Sequence, residues 1–275
     1  MKKARVLFVS QEIYPYMDEK PISMIARNLP QGIQEKGREI RTFMPRYGCI
    51  NEIRHGLHEV IRLSGINQII DDNDHPLIIK VASIQRARMQ VYFIDNEDYF
   101  QRKATFIDDA GKPFEDNDER CIFFCRGVIE TVRKLSWSPD IIHCHGWFTS
   151  LLPLYIKKAC IEDPLFENTK VVYSLYNDKI EGAFNKNMAT KAEWENAEAA
   201  DLALIKTPNY NSLSKLAINW ADAVVKAEPG LDADIVKYAV KSGKPLLEHT
   251  GEDYADAYSN FYNEIMELEG ALVDE

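Results

Sequence analysis

Two histidines stand at the end of a short apolar segment, in the sequence DIIHCHGW, where they are His143 and His145. The segment predicts a short buried strand, with the histidines at its carboxyl end. Imidazoles in that position can hydrogen-bond sugar hydroxyls or a phosphate, or shuttle protons, because histidine titrates near neutral pH. A structural role fits equally well, with one histidine capping the strand and the other hydrogen-bonded in the core. Position alone leaves both interpretations open.

Polar residues also mark the start of a predicted amphipathic helix and the end of another strand. Asp116, Asn117 and Arg120 lie in the sequence EDNDER, where an Asp or Asn can cap the helix. Capping alone would explain these residues. Asn177, in YNDKIEG, follows a predicted strand and could cap, form a turn or contact a ligand.

The first predicted strand is followed by the sequence PYMDEKPISM. A turn from a strand into a helix often binds phosphate through glycines, because backbone N–H groups must approach the anion closely. Here the turn holds Asp18, Glu19 and Pro21, and Lys20 is its only cation. The sequence therefore raises the question of whether a phosphorylated ligand can bind at this turn.

The hydrophobic pattern alternates between strands and helices along most of the chain. This alternation predicts an α/β fold, a Rossmann-like three-layer domain with a mainly parallel sheet. The predicted strands are 4–10, 39–44, 77–84, 89–94, 140–143, 170–175 and 223–227, and the predicted helices begin at 21 and cover 117–135, 147–160, 211–220 and 232–242. Residues 178–206 show weak periodicity and predict a mobile insertion with some helix. Ligands bind such sheets outside the carboxyl ends of the strands. The loops selected by that rule are 11–21, 45–48, 143–147 and 176–182.

Composition and charge exclude several classes of protein. The 275 residues are 45% hydrophobic and 28% charged, as in ordinary globular proteins. The net charge is −10, and eight acidic residues without a Lys or Arg lie between 251 and 275. The rest of the chain is nearly neutral and offers no basic stripe for nucleic acid. No apolar stretch approaches the ~18 residues of a membrane span, and no signal peptide is recognisable, so a cytoplasmic protein is expected.

The cysteines and the acidic tail indicate the redox state of the protein and its division into two parts. Five scattered cysteines fit reduced thiols in a cytosolic protein. Successive side chains of a strand alternate faces, so His143, Cys144 and His145 would not converge on a metal, and no cofactor or metal ion is expected. The tail has aromatic residues at helical spacing, which predicts an acidic amphipathic helix docked on the body. The chain thus divides into a domain of residues 1–250 and a tail of residues 251–275.

Taken in order, these loops resemble those of one family. VLFVSQEIYPY resembles the family's first strand and its E-x-x-P turn, and LPQGIQEKGREIRTFMPRYGCI resembles its LPKAL…GH-V…-PRYG-I. DNDERCIFFCRGVIE, WSPDIIHCHGWFTSLLPLYIK and KVVYSLYN resemble its D-N-x-x-R-F helix, its PD-IH-HDWH-x-x-L-P segment and its VVFTIHN strand. Over about residues 4–245 the chain is thus similar to the N-terminal catalytic half of bacterial glycogen synthases and plant starch synthases.

The resemblance implies one half of a GT-B glycosyltransferase fold. The family transfers glucose from ADP-glucose to an α-1,4-glucan with retention of configuration, so an α-glucan such as glycogen or a maltooligosaccharide is the implied partner. The residues implied on the sugar side of the cleft are Asp116, Asn117, Arg120, His143, His145 and Asn177. Tyr47, in the PRYG sequence, would contact carbohydrate or simply support the fold.

Three departures from the family pattern bear on function. The family's Lys-Thr-Gly-Gly-Leu turn, whose lysine and glycines contact the nucleotide sugar, reads DEKPI at residues 18–22. The family's HDWH reads HGWF at residues 145–148. No match to the second, donor-binding GT-B domain follows. We therefore expect a glucosyltransferase-like domain that is not active alone. The alternatives are a non-catalytic glucan-binding or regulatory protein of glycogen metabolism, and a module that binds a partner protein or a second copy.

Overall fold

A mostly parallel sheet of ten strands lies at the centre of the structure, a computed structural model that describes residues 3–182, 184–251 and 254–267. The strands are β1 (Arg5–Ser10), β2 (Glu39–Pro45), β3 (His58–Glu59), β4 (Ile66–Ile70), β5 (Asn73–Ile84), β6 (Met89–Asp95), β7 (Ile141–His145), β8 (Lys170–Leu175), β9 (Ala223–Lys226) and β10 (Leu246–Glu248). In the described part their order is β10-β9-β8-β7-β1-β2-β6-β5-β3, and β4 pairs with the first half of β5. The predicted α/β architecture is confirmed.

Helices cover both faces of this sheet and give the three predicted layers. They are α1 (Pro21–Glu35), α2 (Glu52–His55), α3 (Glu97–Phe100), α4 (Asn117–Leu135), α5 (Leu152–Leu154), α6 (Met188–Ala192), α7 (Tyr210–Trp220), α8 (Ala233–Lys241) and α9 (Tyr254–Glu267). Shorter 3-10 turns cover Gln85–Ala87, Trp147–Thr149 and Ala203–Ile205, and a π turn covers Tyr155–Ala159. Helices α1 and α9 pack on the face that carries Val6 and Phe8, and α4, α5 and α7 pack on the face that carries Leu7 and Val9.

The three central strands bring their loops to one edge of the sheet. After their first residues, β1, β7 and β8 are buried throughout, as expected for parallel strands covered on both faces. Ser10 pairs with His145, and His145 pairs with Ser174. Because the strands run parallel and end together, the loops after residues 10, 145 and 175 meet at the same edge.

The antiparallel end of the sheet holds a strand that the sequence did not reveal. Strands β4 and β5 are joined by Asp71 and Asp72, which have φ values of 52° and 61°. Two central residues with positive φ form the tight hairpin turn that suits the twist of the strands. Pro76, inside β5, lies opposite Asn67 of β4. The sequence prediction started this strand at Leu77, one residue after a proline, which is a rare residue inside strands.

Residues 147–160 are helical but do not form the single α-helix that was predicted. A 3-10 turn, the short α5 and a π turn follow one another there. Pro153 lies in the first turn of α5 and supplies no backbone N–H.

The segment of residues 178–206 contains α6 and a 3-10 turn. Its residues Met188, Leu202 and Ile205 are fully buried against the rest of the domain.

Helix α9 closes the face of the sheet that α1 covers. Tyr258, Phe261, Tyr262 and Ile265 are buried in that layer, at helical spacing. The guanidinium of Arg38 donates hydrogen bonds to the Ser259 hydroxyl at 2.6 Å and to the Asn263 amide oxygen at 2.6 Å. The predicted docking of an amphipathic helix is therefore seen for residues 254–267. Residues 252–253 and 268–275 of the predicted tail lie outside the described residues, and the division at residue 250 stays a prediction.

Candidate functional site

The two histidines lie side by side in the layer beneath α9. Both are fully buried, and their ring centroids are 4.0 Å apart. His143 Nδ1 lies 2.6 Å from the Tyr262 hydroxyl, and its Nε2 lies 2.7 Å from Ser174 Oγ. His145 Nδ1 lies 2.8 Å from the Tyr176 hydroxyl. The sheet thus positions both rings against tyrosines of the fold, away from solvent.

Burial decides the charge of these histidines. It lowers the pKa of His145 to about 3 and that of His143 well below its usual range, where the neighbouring His145 adds to the effect. Both rings are therefore neutral near pH 7, and each neutral ring has one donor and one acceptor nitrogen. His145 Nε2 has no hydrogen-bond partner among the described residues. The arrangement matches the hydrogen-bonded core role that the sequence left open.

Tyr47, in the loop after β2, is also buried, as are Asn117 and Arg120 at the start of α4. Arg120 Nε donates to the Tyr99 carbonyl at 2.8 Å, and Arg120 Nη1 donates to Asn117 Oδ1 at 2.7 Å and to the Thr105 carbonyl at 2.6 Å. Burial lowers the pKa of Arg120 to about 10 and raises that of Tyr47. The arginine therefore joins α4 to α3 and to the segment after it through hydrogen bonds.

The first turn contains a cation that the protein neutralises internally. Lys20 Nζ lies 3.1 Å from a carboxylate oxygen of Glu12, whose side chain is only 5% exposed. Ser23 Oγ accepts the backbone N–H of Lys20 at 3.0 Å at the start of α1. A buried carboxylate attracts the ammonium more strongly than an exposed one would, because water screens the pair less. The positive charge of this turn is therefore already compensated.

Backbone N–H groups at the same edge are bound by the protein's own acceptors. The Trp147 N–H donates to Asp178 Oδ2 at 3.0 Å, and the Phe148 N–H donates to Gln11 Oε1 at 3.2 Å. The Asn177 N–H donates to Glu228 Oε1. Such N–H groups at strand ends and helix starts are the donors that bind anions in related folds. Here these three are occupied, two of them by carboxylates.

Glycine at position 146 makes this arrangement sterically feasible. Gly146 has φ 86° and ψ 166°, a backbone conformation that is essentially restricted to glycine. A Cβ at this position would clash with Gln11 Oε1 and would lie 2.8 Å from Ile22 Cδ1. Glycine at this position therefore gives Gln11 room to reach the loop.

Asp178 and Tyr210 share a proton-dependent contact. The Tyr210 hydroxyl oxygen lies 2.8 Å from both the Tyr176 carbonyl oxygen and Asp178 Oδ1. Its single proton can satisfy only one of these acceptors. Burial of the carboxyl raises the pKa of Asp178 from 3.8 to about 6, although the Trp147 N–H and the Tyr210 hydroxyl partly offset the shift. A protonated Asp178 would donate to Tyr210, whose own proton would then go to Tyr176.

Two cavities open along this edge. The smaller one, of about 200 Å³, lies between the start of α4 and the segment after β8, and its lining is Lys112, Pro113, Phe114, Glu115, Asn117, Ile180, Glu181, Gly182 and Phe184. The Phe184 ring packs 5.2 Å from that of Trp147. The larger one, of about 580 Å³, adjoins β9 and β10 and includes Lys226, Glu228, Glu248 and His249. Lys226 there is paired with Glu248.

The structure brings only part of the predicted site to a surface. Asn117 lines the smaller cavity but is only 1% exposed, and Asn177 is exposed, with its amide nitrogen close to Gly230 of the larger cavity. Asp116 is half-buried and forms an ion pair with Arg102. The side chains buried away from the cavity surface are Tyr47, Arg120, His143 and His145. Their predicted role on the sugar side of the cleft stays a prediction.

Sequence reasoning missed the acceptors Gln11, Asp178 and Glu228, and the aromatic wall residue Phe184. Gln11 directly follows β1, and Glu228 follows β9 by two residues, so their place at strand ends was a usable signal.

Among the described residues, no group of three or more His, Cys, Asp or Glu could hold a metal ion. None of the described helices is long and apolar enough to cross a membrane.

The fold and its polar edge define a class of proteins, the Rossmann-like α/β domains that bind ligands at the carboxyl ends of parallel strands. The family is shown by direct comparison. A family model described as the starch synthase catalytic domain matches residues 5–249. The chain belongs to this family.

Relatives of the chain include bacterial glycogen synthases and a plant starch synthase of known structure. The chain is 39% identical to glycogen synthase of Chlorobium limicola over 174 residues, which is 63% of this chain and 36% of the relative. It is 33% identical to glycogen synthase of Chlorobaculum parvum over 232 residues, which is 82% of this chain and 46% of the relative. The chain therefore spans less than half the length of these relatives.

A solved structure supports the fold. The catalytic domain of starch synthase IV from Arabidopsis thaliana, bound to ADP and acarbose, superposes with a TM-score of 0.72 at 18% identity. The match covers 92% of this chain and 52% of that one. The predicted identification as the N-terminal part of a glycogen or starch synthase is confirmed.

Proposed function

We propose that this chain binds an α-glucan and does not by itself transfer glucose from ADP-glucose. The observation that supports the proposal is the occupation of the Trp147, Phe148 and Asn177 N–H groups by internal acceptors. A transferase must stabilise the leaving diphosphate with donors that are free to receive it. Two of the acceptors here are carboxylates, which repel a diphosphate.

The smaller cavity is the place we propose for the glucan. Phe114 and Phe184 give it aromatic walls, and the exposed residues Lys112 and Glu115 add polar groups. Its volume of about 200 Å³ lies below the ~300–1,000 Å³ of pockets for drug-sized ligands, so it suits one sugar residue or a chain end. The solved relative was bound to acarbose and ADP, which agrees with carbohydrate binding in the family. A cytoplasmic location is part of the same proposal.

Glycogen co-sedimentation tests the proposal directly. The purified chain is mixed with glycogen, and separately with glycogen and ADP-[14C]glucose. We expect retention on glycogen without incorporation of label. Incorporation would show that the chain transfers glucose unaided, and absence from the glycogen pellet would refute glucan binding.

A substitution locates the binding. Phe184→Ala removes an aromatic wall of the cavity, and loss of such an anchor costs more than about 1 kcal/mol of binding energy. We therefore expect retention on glycogen to require about tenfold more glycogen. Ile161→Ala is the matched control, because Ile161 is 61% exposed and lies in the turn after the π turn. Equal retention of both variants would place the glucan elsewhere.

A further inference from the structure

Arg120 is a fully buried cation whose hydrogen bonds all go to neutral groups. Its Nε and Nη1 donate to the carbonyls of Tyr99 and Thr105 and to the Asn117 amide oxygen, at 2.6–2.8 Å. Its Nη2 is buried and has no hydrogen-bond partner among the described residues. The guanidinium is thus held in place by the protein while one of its NH2 groups is left over.

The positive charge of Arg120 is not balanced within the described part of the chain. No Asp or Glu there forms an ion pair with it, and Asp116, just before α4, is paired with Arg102 instead. Burial lowers the pKa of Arg120 to about 10, so the group is still charged at pH 7. A buried charge without an opposite charge is costly. A negative charge supplied from outside the chain would therefore stabilise the folded protein.

A second buried donor, the Tyr47 hydroxyl, lies near Arg120. Tyr47 is fully buried, and its hydroxyl has no hydrogen-bond partner among the described residues. Burial raises the pKa of Tyr47, and Arg120 is the charged group that opposes this shift most. Glu12 adds to the raised pKa of Tyr47, but it is itself paired with Lys20. The hydroxyl is therefore protonated at neutral pH, so it can donate a hydrogen bond but cannot balance the charge of the arginine.

Arg120 and Tyr47 pack against the same two aromatic rings. The guanidinium carbon of Arg120 lies 5.3 Å from the Phe100 ring centroid and 5.9 Å from that of Phe148. The Tyr47 ring lies 6.1 Å and 6.5 Å from the same two rings. Phe106 completes the group, at 5.6 Å from Tyr47 and 5.1 Å from Phe148. Such apolar walls strengthen an electrostatic attraction by keeping water away, and their close contacts suit a single-atom ion better than a phosphate.

We propose that a halide ion, ordinarily chloride, binds between Arg120 Nη2 and the Tyr47 hydroxyl. The ion would accept a charge-assisted hydrogen bond from Arg120 and a second bond from Tyr47, and it would balance the guanidinium charge. A water molecule would accept the same two bonds but leave the charge uncompensated. An ion that binds the folded chain alone makes stability depend on its concentration. The proposal is independent of glucan binding.

Urea unfolding of the full chain at constant ionic strength tests the proposal. Sodium methanesulfonate, whose anion is larger than a halide, is replaced stepwise by sodium chloride. We expect the ratio of folded to unfolded protein to rise about tenfold by the point where chloride reaches about ten times its Kd. A ratio that stays constant up to molar chloride would overturn the proposal.

Tyr47→Phe separates this site from general effects of salt. The substitution keeps the ring but removes a donor to a charged ligand, so the Kd for chloride should rise at least about tenfold. Tyr14→Phe is the matched control, because Tyr14 is 36% exposed, and it should keep the chloride dependence of the unsubstituted protein. An unaltered chloride dependence in a folded Tyr47→Phe variant would refute the site.

Bromide locates the ion directly, because it scatters X-rays anomalously. In crystals grown from sodium bromide, we expect an anomalous peak within hydrogen-bonding reach of both Arg120 Nη2 and the Tyr47 hydroxyl. A water molecule in that place, or bromide peaks at the protein surface alone, would contradict the proposal.

Discussion

At the scale of single residues, the carboxyl of Asp178 is sensitive to pH, because its pKa is raised to about 6. Its carboxyl accepts the Trp147 N–H and faces the Tyr210 hydroxyl, which also lies 2.8 Å from the Tyr176 carbonyl. One proton added to Asp178 satisfies all of these atoms at once. Burial raises the pKa of this carboxyl to about 6, although the Trp147 N–H and the Tyr210 hydroxyl both favour its charged form.

This geometry predicts a dependence of stability on pH. The folded protein holds the Asp178 proton more tightly than the unfolded chain does, so the group contributes most stability below pH 4. That contribution, on the order of 2–3 kcal/mol, is lost as the pH rises from about 4 to about 6. Asp178→Asn mimics the protonated form, so the stability of this variant should not fall over that pH range for this reason. Urea unfolding of both proteins between pH 4.5 and 7 measures how the free energy of unfolding changes with pH. If it changed equally in both proteins, Asp178 would not be the cause.

At the scale of elements, α9 is held by polar contacts as well as by its apolar stripe. The Tyr262 hydroxyl lies 2.6 Å from His143 Nδ1 in a fully buried setting. This contact joins the last described helix to the central strand β7. Helix α9 thus belongs to the core of the fold.

Tyr262→Phe should therefore destabilise the protein. The substitution keeps the ring but leaves a buried imidazole nitrogen without a partner, which costs about 1–3 kcal/mol. Tyr14→Phe is the control, because Tyr14 is 36% exposed. Urea denaturation of the two variants should show a lower free energy of unfolding for Tyr262→Phe alone. Equal stability of all three proteins would mean that the hydroxyl bond adds nothing.

The elements that the sequence predicted well are those with a strong local pattern. The apolar stripe of α4 and the apolar residues of β1 and β8 gave nearly the observed bounds. Strand β4 was missed because its hairpin turns on Asp71 and Asp72 in place of the usual Asn-Gly, and because Pro76 interrupts β5. Local patterns fail where an unusual residue takes up a common conformation.

At the scale of the whole molecule, the site is assembled from contacts between distant parts of the chain. Gln11 reaches residue 148, and Glu228 reaches residue 177. The loops could be predicted from the rule for strand ends, and the role of Asn117 in ligand binding stays a prediction. The internal acceptors could not be predicted in this way. Which N–H groups they reach depends on the order of the strands in the sheet and on the space beside Gly146.

The same distribution of contacts predicts the result of restoring the family's turn. Replacing residues 18–22 by Lys-Thr-Gly-Gly-Leu supplies a lysine and glycines at one loop only. Asp178, Gln11 and Glu228 would still occupy the N–H groups of the two neighbouring loops. We expect the Kd for ADP, measured by isothermal titration calorimetry, to change less than threefold. A gain of tenfold or more would show that the first turn alone determines anion binding.

The position of α9 also has a consequence for how the protein is made. The layer over Val6 and Phe8 is completed by Tyr258, Phe261 and Ile265, some 250 residues later in the chain. During synthesis β1 and α1 emerge early, but the part of this face that α9 packs on stays uncovered until those residues have been added. Contacts so distant in sequence form slowly, and exposed apolar surface promotes aggregation meanwhile. The nascent protein therefore depends on α9 to cover this aggregation-prone surface.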